Sequence, residues 1–87
     1  MDMMDLVRNG IKIIDGILCN RYGSTISGCI RVKEFGWGSP CTEYHFDDYA
    51  YNDYSIKQDS YGAWHLMHGY TEVCRLNYYG GKNWSSI

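Results

Sequence analysis

Two runs rich in β-forming residues, YGAWHLM at 61–67 and YTEVCRLNYY at 70–79, stand on either side of His68-Gly69. A two-residue connection containing glycine between such runs signals a β-hairpin, because glycine supplies the positive φ that tight hairpin turns require. The pattern predicts two antiparallel strands with Met67 opposite Tyr70, His65 opposite Glu72 and Ala63 opposite Cys74. On that register His65, Glu72 and Cys74 share one face of the sheet. An isolated hairpin is marginal in water, so the rest of the chain must supply strands or a helix to cover its apolar face.

Upstream, residues 2–9 predict a short helix with Met3, Leu6 and Val7 on one side, ended by Gly10. The run IKII could prolong the helix, but Gly10 inside it would cost about 1 kcal/mol and the run is β-branched, which favours a strand from Ile11. ILCN and TISGCIRVKEF flank a turn at RYGS, with Ile26, Ile30 and Val32 on one face of the second run. GWGSP reads as a loop ending at Pro40, and CTEYHF alternates as a strand. DDYAYND is turn-like, YSIKQ is a short edge strand, and GGKNWSSI is a frayed tail pinned by Trp84. The expectation is one α+β domain spanning residues 1–87: a short N-terminal helix packed on an antiparallel sheet of about five strands that ends in a β-hairpin.

Ile, Leu and Val together number fifteen and the aromatic residues fourteen, so much of the core must be aromatic. Some rings must then stay outside, and tyrosine is the natural one to do so, since its hydroxyl needs water or a partner. The first residues, MDMMDLVRNG, carry acids and no long apolar run, and nothing in the chain reaches the ~18 consecutive apolar residues of a membrane span. The expectation is a cytoplasmic protein without membrane contact, with Cys19, Cys29, Cys41 and Cys74 as free thiols.

Chemical motifs are sparse. Cys41, His45, His65, His68 and Cys74 could in principle hold a metal. Their spacing fits no zinc module, and alternation puts residues 65 and 68 on opposite faces of a strand, so no metal site is expected. Cys74 with His65 could form a thiol nucleophile and base, but no pocket or oxyanion hole is signalled and no catalytic residue is assigned. No glycine-rich loop joins a strand to a helix in the manner of a phosphate-binding loop, and no cofactor is expected.

The charge is concentrated in one place. Residues 41–63 sum to −4 while the whole chain carries −2. Direct nucleic-acid binding usually requires the opposite sign. Within that stretch Asp47, Asp48, Asp53 and Asp59 punctuate Tyr44, Tyr49, Tyr51, Tyr54 and Tyr61. The plain reading is a solvated edge whose acids block strand pairing. The alternative is a recognition surface, for which tyrosine is suited by its rigid and amphipathic ring. Carboxylates on alternate strand residues, ~6–7 Å apart, approach the spacing of phosphates along a nucleic-acid strand and would suit a basic groove.

In size, acidity and aromatic content the chain resembles the small single-domain viral proteins with which phages block host defence nucleases, anti-CRISPR proteins among them. That resemblance implies a non-enzymatic protein-binding inhibitor, whose partner is a host protein with a basic nucleic-acid-binding groove in the host cytoplasm. The alternative is a binding or sequestering protein for a small, nucleotide-like ligand, with an aromatic cage of Trp37, Trp64 and nearby tyrosines.

Overall fold

The computed structural model describes residues 3–26, 32–37 and 41–87, with the backbone alone at 33–37 and 41. Among the described residues one helix, α1 (Met3–Arg8), precedes eight strands: β1 (Ile11–Ile14), β2 (Ile17–Asn20), β3 (Val32–Trp37), β4 (Cys41–Phe46), β5 (Tyr54–Gln58), β6 (Trp64–His68), β7 (Thr71–Tyr78) and β8 (Asn83–Ser86). They form one antiparallel sheet in the order β2-β1-β8-β7-β6-β5-β4-β3. Among the described residues no helix is long and apolar enough to cross a membrane.

Helix α1 ends where glycine permits it. Gly10 has φ +85° and its amide donates to the Val7 carbonyl at 3.0 Å, closing the last turn. Met3, Leu6 and Val7 are buried, as their spacing on one helical face requires.

The sheet has eight strands among the described residues rather than about five. Asp15 and Gly16 both adopt positive φ, 51° and 78°, and turn IKII back on ILCN as a separate hairpin. This is the backbone of a tight two-residue turn, and Asp-Gly is among the pairs best suited to it. The tail is also not frayed. It forms β8, which lies between β7 and β1, and its Trp84 is only 1% exposed. Nor is β5 an edge strand, because β4 and β6 pair on its two sides. The expected residues Ile30 and Pro40, and much of TISGCIRVKEF, lie outside the described residues.

The edges of the sheet are β2 and β3. The Val32 amide at the start of β3 donates to the Gly16 carbonyl in the β1–β2 turn at 2.6 Å. The two edges therefore curl toward one another at this point, as in an incomplete barrel. The inner face carries Ile11, Ile13, Leu18, Tyr44, Phe46, Ile56, Leu66, Leu76 and Trp84, and α1 covers it. Cross-strand register explains why these meet: Tyr44 pairs with Ile56, Ile56 with Leu66, and Trp84 with both Tyr78 and Ile11.

The predicted hairpin exists with its loop moved by one residue. His68 pairs with Thr71, so Gly69 and Tyr70 are the two loop residues. Only Gly69 has positive φ, +61°, at the first central position, as in a type II′ turn. A bulge at Val73 then shifts the register, so that Met67 faces Glu72 but Leu66 faces Cys74 and His65 faces Arg75. A Cβ at Gly69 would meet nothing within 4 Å, so any penalty there is conformational. Gly69→Val is expected to destabilise the protein by about 1 kcal/mol or more in a denaturant melt, the cost of positive φ for a β-branched residue. A neutral result would count against the turn geometry.

Candidate functional site

The acidic, tyrosine-rich stretch does not form one continuous surface. The 47–53 loop precedes Tyr54 and the 59–63 turn follows Gln58, at opposite ends of β5. Five strand residues separate these ends by roughly 13 Å. Asp47, Asp48, Tyr49, Tyr51 and Asp53 therefore sit at one end of the sheet, and Asp59 with Tyr61 at the other.

Local backbone chemistry accounts for some of the acids. Asp48 Oδ1 accepts from the Ala50 amide at 2.8 Å, and Asp59 Oδ1 accepts from the Tyr61 and Ala63 amides at 2.9 and 3.0 Å. Both are Asx-type turns, for which aspartate is selected by its short acceptor. Asp47 and Asp53 are exposed.

The tyrosines divide in the same way. Tyr44 is buried in the core, packed against Trp84 and Trp64 with ring centroids 5.4 and 5.9 Å away. Tyr51 and Tyr54 are half-buried against the core, and Tyr54 stacks on His68 at 4.6 Å. Tyr49 is 92% exposed. A residue not singled out in the sequence joins it: Tyr70, the second loop residue of the β6–β7 turn, is fully exposed. The two loops are tied together, because the Gly69 amide donates to the Asp53 carbonyl at 2.8 Å. Tyr49, Tyr70, Asp47, Asp48 and Asp53 thus belong to one end of the molecule.

An open cleft of about 700 Å³ runs from this end onto the outer face of β4–β6, bordered by Glu43, His45, Asp53, Tyr54, Lys57 and Tyr70. Glu43 bridges an imidazole and an ammonium there, with His45 Nε2 3.0 Å and Lys57 Nζ 3.8 Å from its carboxylate oxygens. The rim is therefore mixed in charge at the floor and acidic at the mouth. Sequence alternation placed Glu43 and His45 on one face, but only the register with β5 brings Lys57 beside them.

Farther along the outer face, His65 is held between two carboxylates. Its Nε2 lies 2.8 Å from Asp59 Oδ2, and its Nδ1 hydrogen-bonds to Glu72. The expected His65–Glu72 contact thus forms, although the bulge makes it diagonal. Lys57 and Arg75 are the cross-strand neighbours of His65 on either side. The Asp59 hydrogen bond holds the His65 pKa above its ordinary value against the opposing effect of burial, and Glu72 adds to the rise. The same bond lowers the Asp59 pKa, with the Ala63 and Tyr61 amides contributing.

A raised histidine pKa stabilises the fold fully below the ordinary value of 6.5, and the contribution is lost as pH climbs through the folded value. The lowered Asp59 pKa stabilises above 3.8 and is lost as pH falls through the folded value. The clamp therefore contributes most between those limits. Thermal melts should show stability declining as pH rises through and above 6.5, and His65→Gln should flatten that decline. An unchanged slope in the variant would remove His65 as its source.

Cys74 lies on the inner face opposite Leu66, whereas His65 points outward, so the bulge at Val73 separates the thiol from the imidazole. Burial also pushes the Cys74 thiol pKa up, away from the thiolate form, with the Glu72 charge adding. Cys19 and Cys74 are free. Asp59 and Glu72 hold the two ring nitrogens of His65 from opposite edges and cannot converge on one ion. Among the described residues no group of His, Cys, Asp and Glu is arranged to hold a metal. The side chains of Trp37 and Cys41 lie outside the described residues. The rings nearest Trp64, those of Tyr44, Tyr78 and Trp84, pack on it at 5.4–5.9 Å and fill one another's faces. The chain matches no protein-family model, no curated protein and no solved structure.

Proposed function

We propose that this chain is a non-enzymatic protein-binding module, a phage-type inhibitor whose acidic, tyrosine-bearing end occupies the basic groove of a host nucleic-acid-handling defence protein. The observation that supports this reading is the placement of two almost fully exposed rings, Tyr49 and Tyr70, beside Asp47, Asp48 and Asp53 at one end of the sheet. The core does not use these rings, and tyrosines that stand free on rigid turns are suited to act as interface anchors. The carboxylates around them would speed approach to a basic groove and select against acidic surfaces. Tyr44 is in the core and Asp59 is at the opposite end, so neither belongs to the contact surface in this reading.

The test uses a partner recovered from bacterial lysate on the immobilised chain. Captured protein should be released by salt, and its nucleic-acid binding should be blocked while the chain is bound. Replacing Asp47, Asp48 and Asp53 together by Asn should leave the fold intact, because Asn keeps the Oδ1 acceptor that Asp48 uses and exposed charges contribute little to stability. The triple variant should bind about tenfold or more weakly at low salt, with a flatter salt dependence. Unchanged affinity at low salt would leave the segment as a solvated edge.

A further inference from the structure

Two clefts meet at the C-terminal end of α1, on elements that the proposed interface does not use. One, of about 280 Å³, lies among Arg8, Arg21, Tyr79, Asn83 and Ser85. The other, of about 420 Å³, lies among Leu6, Asn20, Tyr22 and Ile26. Asn9, Gly10 and Arg21 border both.

Two arginines therefore border one small cleft, and no acid is among its lining residues. Among the described residues Arg8 forms one ion pair, with Asp5 at 3.9 Å and with both side chains largely exposed, a pairing worth little. Arg21 donates from Nη2 to the Tyr22 hydroxyl at 2.6 Å and lies over the Tyr22 ring at 4.8 Å. Among the described residues no carboxylate pairs with it. A guanidinium has five N–H donors in a planar fork, so one bond to a tyrosine leaves most of them for an oxyanion.

The seat of Arg21 is built into the backbone. A Cβ at Gly10 would come within 3.2 Å of Arg21 Cβ, so glycine both ends the helix and lets the arginine stem lie against that end. Asn20 fixes the turn that follows, its Oδ1 accepting from the Tyr22 and Ser24 amides at 2.9 and 3.0 Å. Across the cleft, Ser85 Oγ and the Tyr79 hydroxyl lie 3.3 Å apart and add hydroxyl donors. The adjoining cleft differs in character, with Leu6 and Ile26 as apolar walls and the exposed Tyr22 ring at its side. A planar ring can lie along such walls.

We propose that these joined clefts bind a small phosphorylated aromatic molecule of nucleoside monophosphate size. Its phosphate dianion sits between Arg8 and Arg21, and its ring lies in the neighbouring cleft beside Tyr22. Paired guanidinium groups match the charge and the bidentate geometry of a phosphate. The site is independent of the protein-binding end, so either proposal can fail without the other.

AMP, adenosine, inorganic phosphate and a short single-stranded DNA are the probes, titrated into the full chain and followed by calorimetry and amide NMR. AMP should bind and shift the amide signals of Gly10, Arg21 and Asn83. Adenosine and inorganic phosphate should each bind at least about tenfold more weakly, as expected when two linked groups share one site. Arg8→Gln and Arg21→Gln should each weaken AMP about tenfold without changing the melting curve, since both side chains are exposed and charge-assisted bonds to phosphate are strong. Absence of AMP shifts at millimolar concentration, or AMP binding unaffected by both variants, would overturn the site. Inorganic phosphate binding as tightly as AMP would overturn the assignment of the second cleft to a ring. DNA binding more tightly than AMP would overturn the small-ligand assignment.

Discussion

Trp84→Ala should lower the stability of the fold by about 3–5 kcal/mol, the usual cost of truncating a buried tryptophan. The residue is 1% exposed, and its ring contacts those of Tyr44, Trp64 and Tyr78 at 5.4–5.6 Å. Its backbone also joins β7 to β1, so loss of the ring loosens both seams. A domain of 87 residues has on the order of 4–13 kcal/mol in total, so the variant should lose a large share of its stability. Trp84→Phe supplies the informative contrast. Among the described residues the buried indole Nε1 has no hydrogen-bond partner, and a buried unpaired donor costs about 1–3 kcal/mol. Phenylalanine removes that donor along with part of the volume, so the Phe variant should lose less than half of what Ala loses in urea melts. If Ala shifts stability by less than about 0.5 kcal/mol, β8 is not part of the core.

Tyr49→Ala and Tyr51→Ala should separate binding from stability. Tyr49 is almost wholly exposed, whereas Tyr51 packs against the core. Truncating Tyr49 should leave the melt within about 0.5 kcal/mol of the parent while weakening partner binding by about 2 kcal/mol or more, a thirtyfold loss. Truncating Tyr51 should instead destabilise the fold by about 1–3 kcal/mol through lost burial. Calorimetric affinity and a denaturant melt on the same two variants give both readings. If Tyr49→Ala binds as tightly as the parent, Tyr49 is not an anchor. If both variants behave alike, the burial difference between them has no functional meaning.

Much of the fold is legible where a local rule acts alone. Gly10 as helix terminator, the strand from Ile11 and the reversal at Gly69 all rest on one residue's backbone preference. The Asp15-Gly16 hairpin was equally readable, and pairing IKII with ILCN at that turn would have raised the strand count. Other features depend on distant partners. Trp84 sits between Asn83 and Ser85 in a four-residue strand, too short and polar to show alternation, and rings from β4, β6 and β7 pack around it. The bulge at Val73 has no marker in the sequence, yet it decides that Cys74 and His65 occupy opposite faces.

The candidate surface shows the same limit. Composition located the excess charge in residues 41–63 but gave no position in space. Reversal of the chain along β5 sends Asp59 to the far end, and the turn geometry assigns Asp48 and Asp59 to backbone amides before any partner is considered. Tyr70 went unnoticed because a tyrosine next to a predicted strand reads as part of it. The shift of the loop by one residue places its ring in solvent.

Among the described strands, every pairing but one joins neighbours in sequence; β1 with β8 is the exception, and it is narrow, with Ile11 opposite Trp84 and Lys12 opposite Asn83. The consequence lies in the order of assembly. The strands from β3 to β8 can zip as successive hairpins, each closing a short loop at small entropic expense. Joining β1 to β8 pairs residues more than seventy positions apart in the sequence. That step gains from a preformed β8, so the amino-terminal helix and hairpin dock last and open first. They form the least protected cooperative unit of the sheet, and amide exchange should reach their hydrogen bonds before those of β5 and β6.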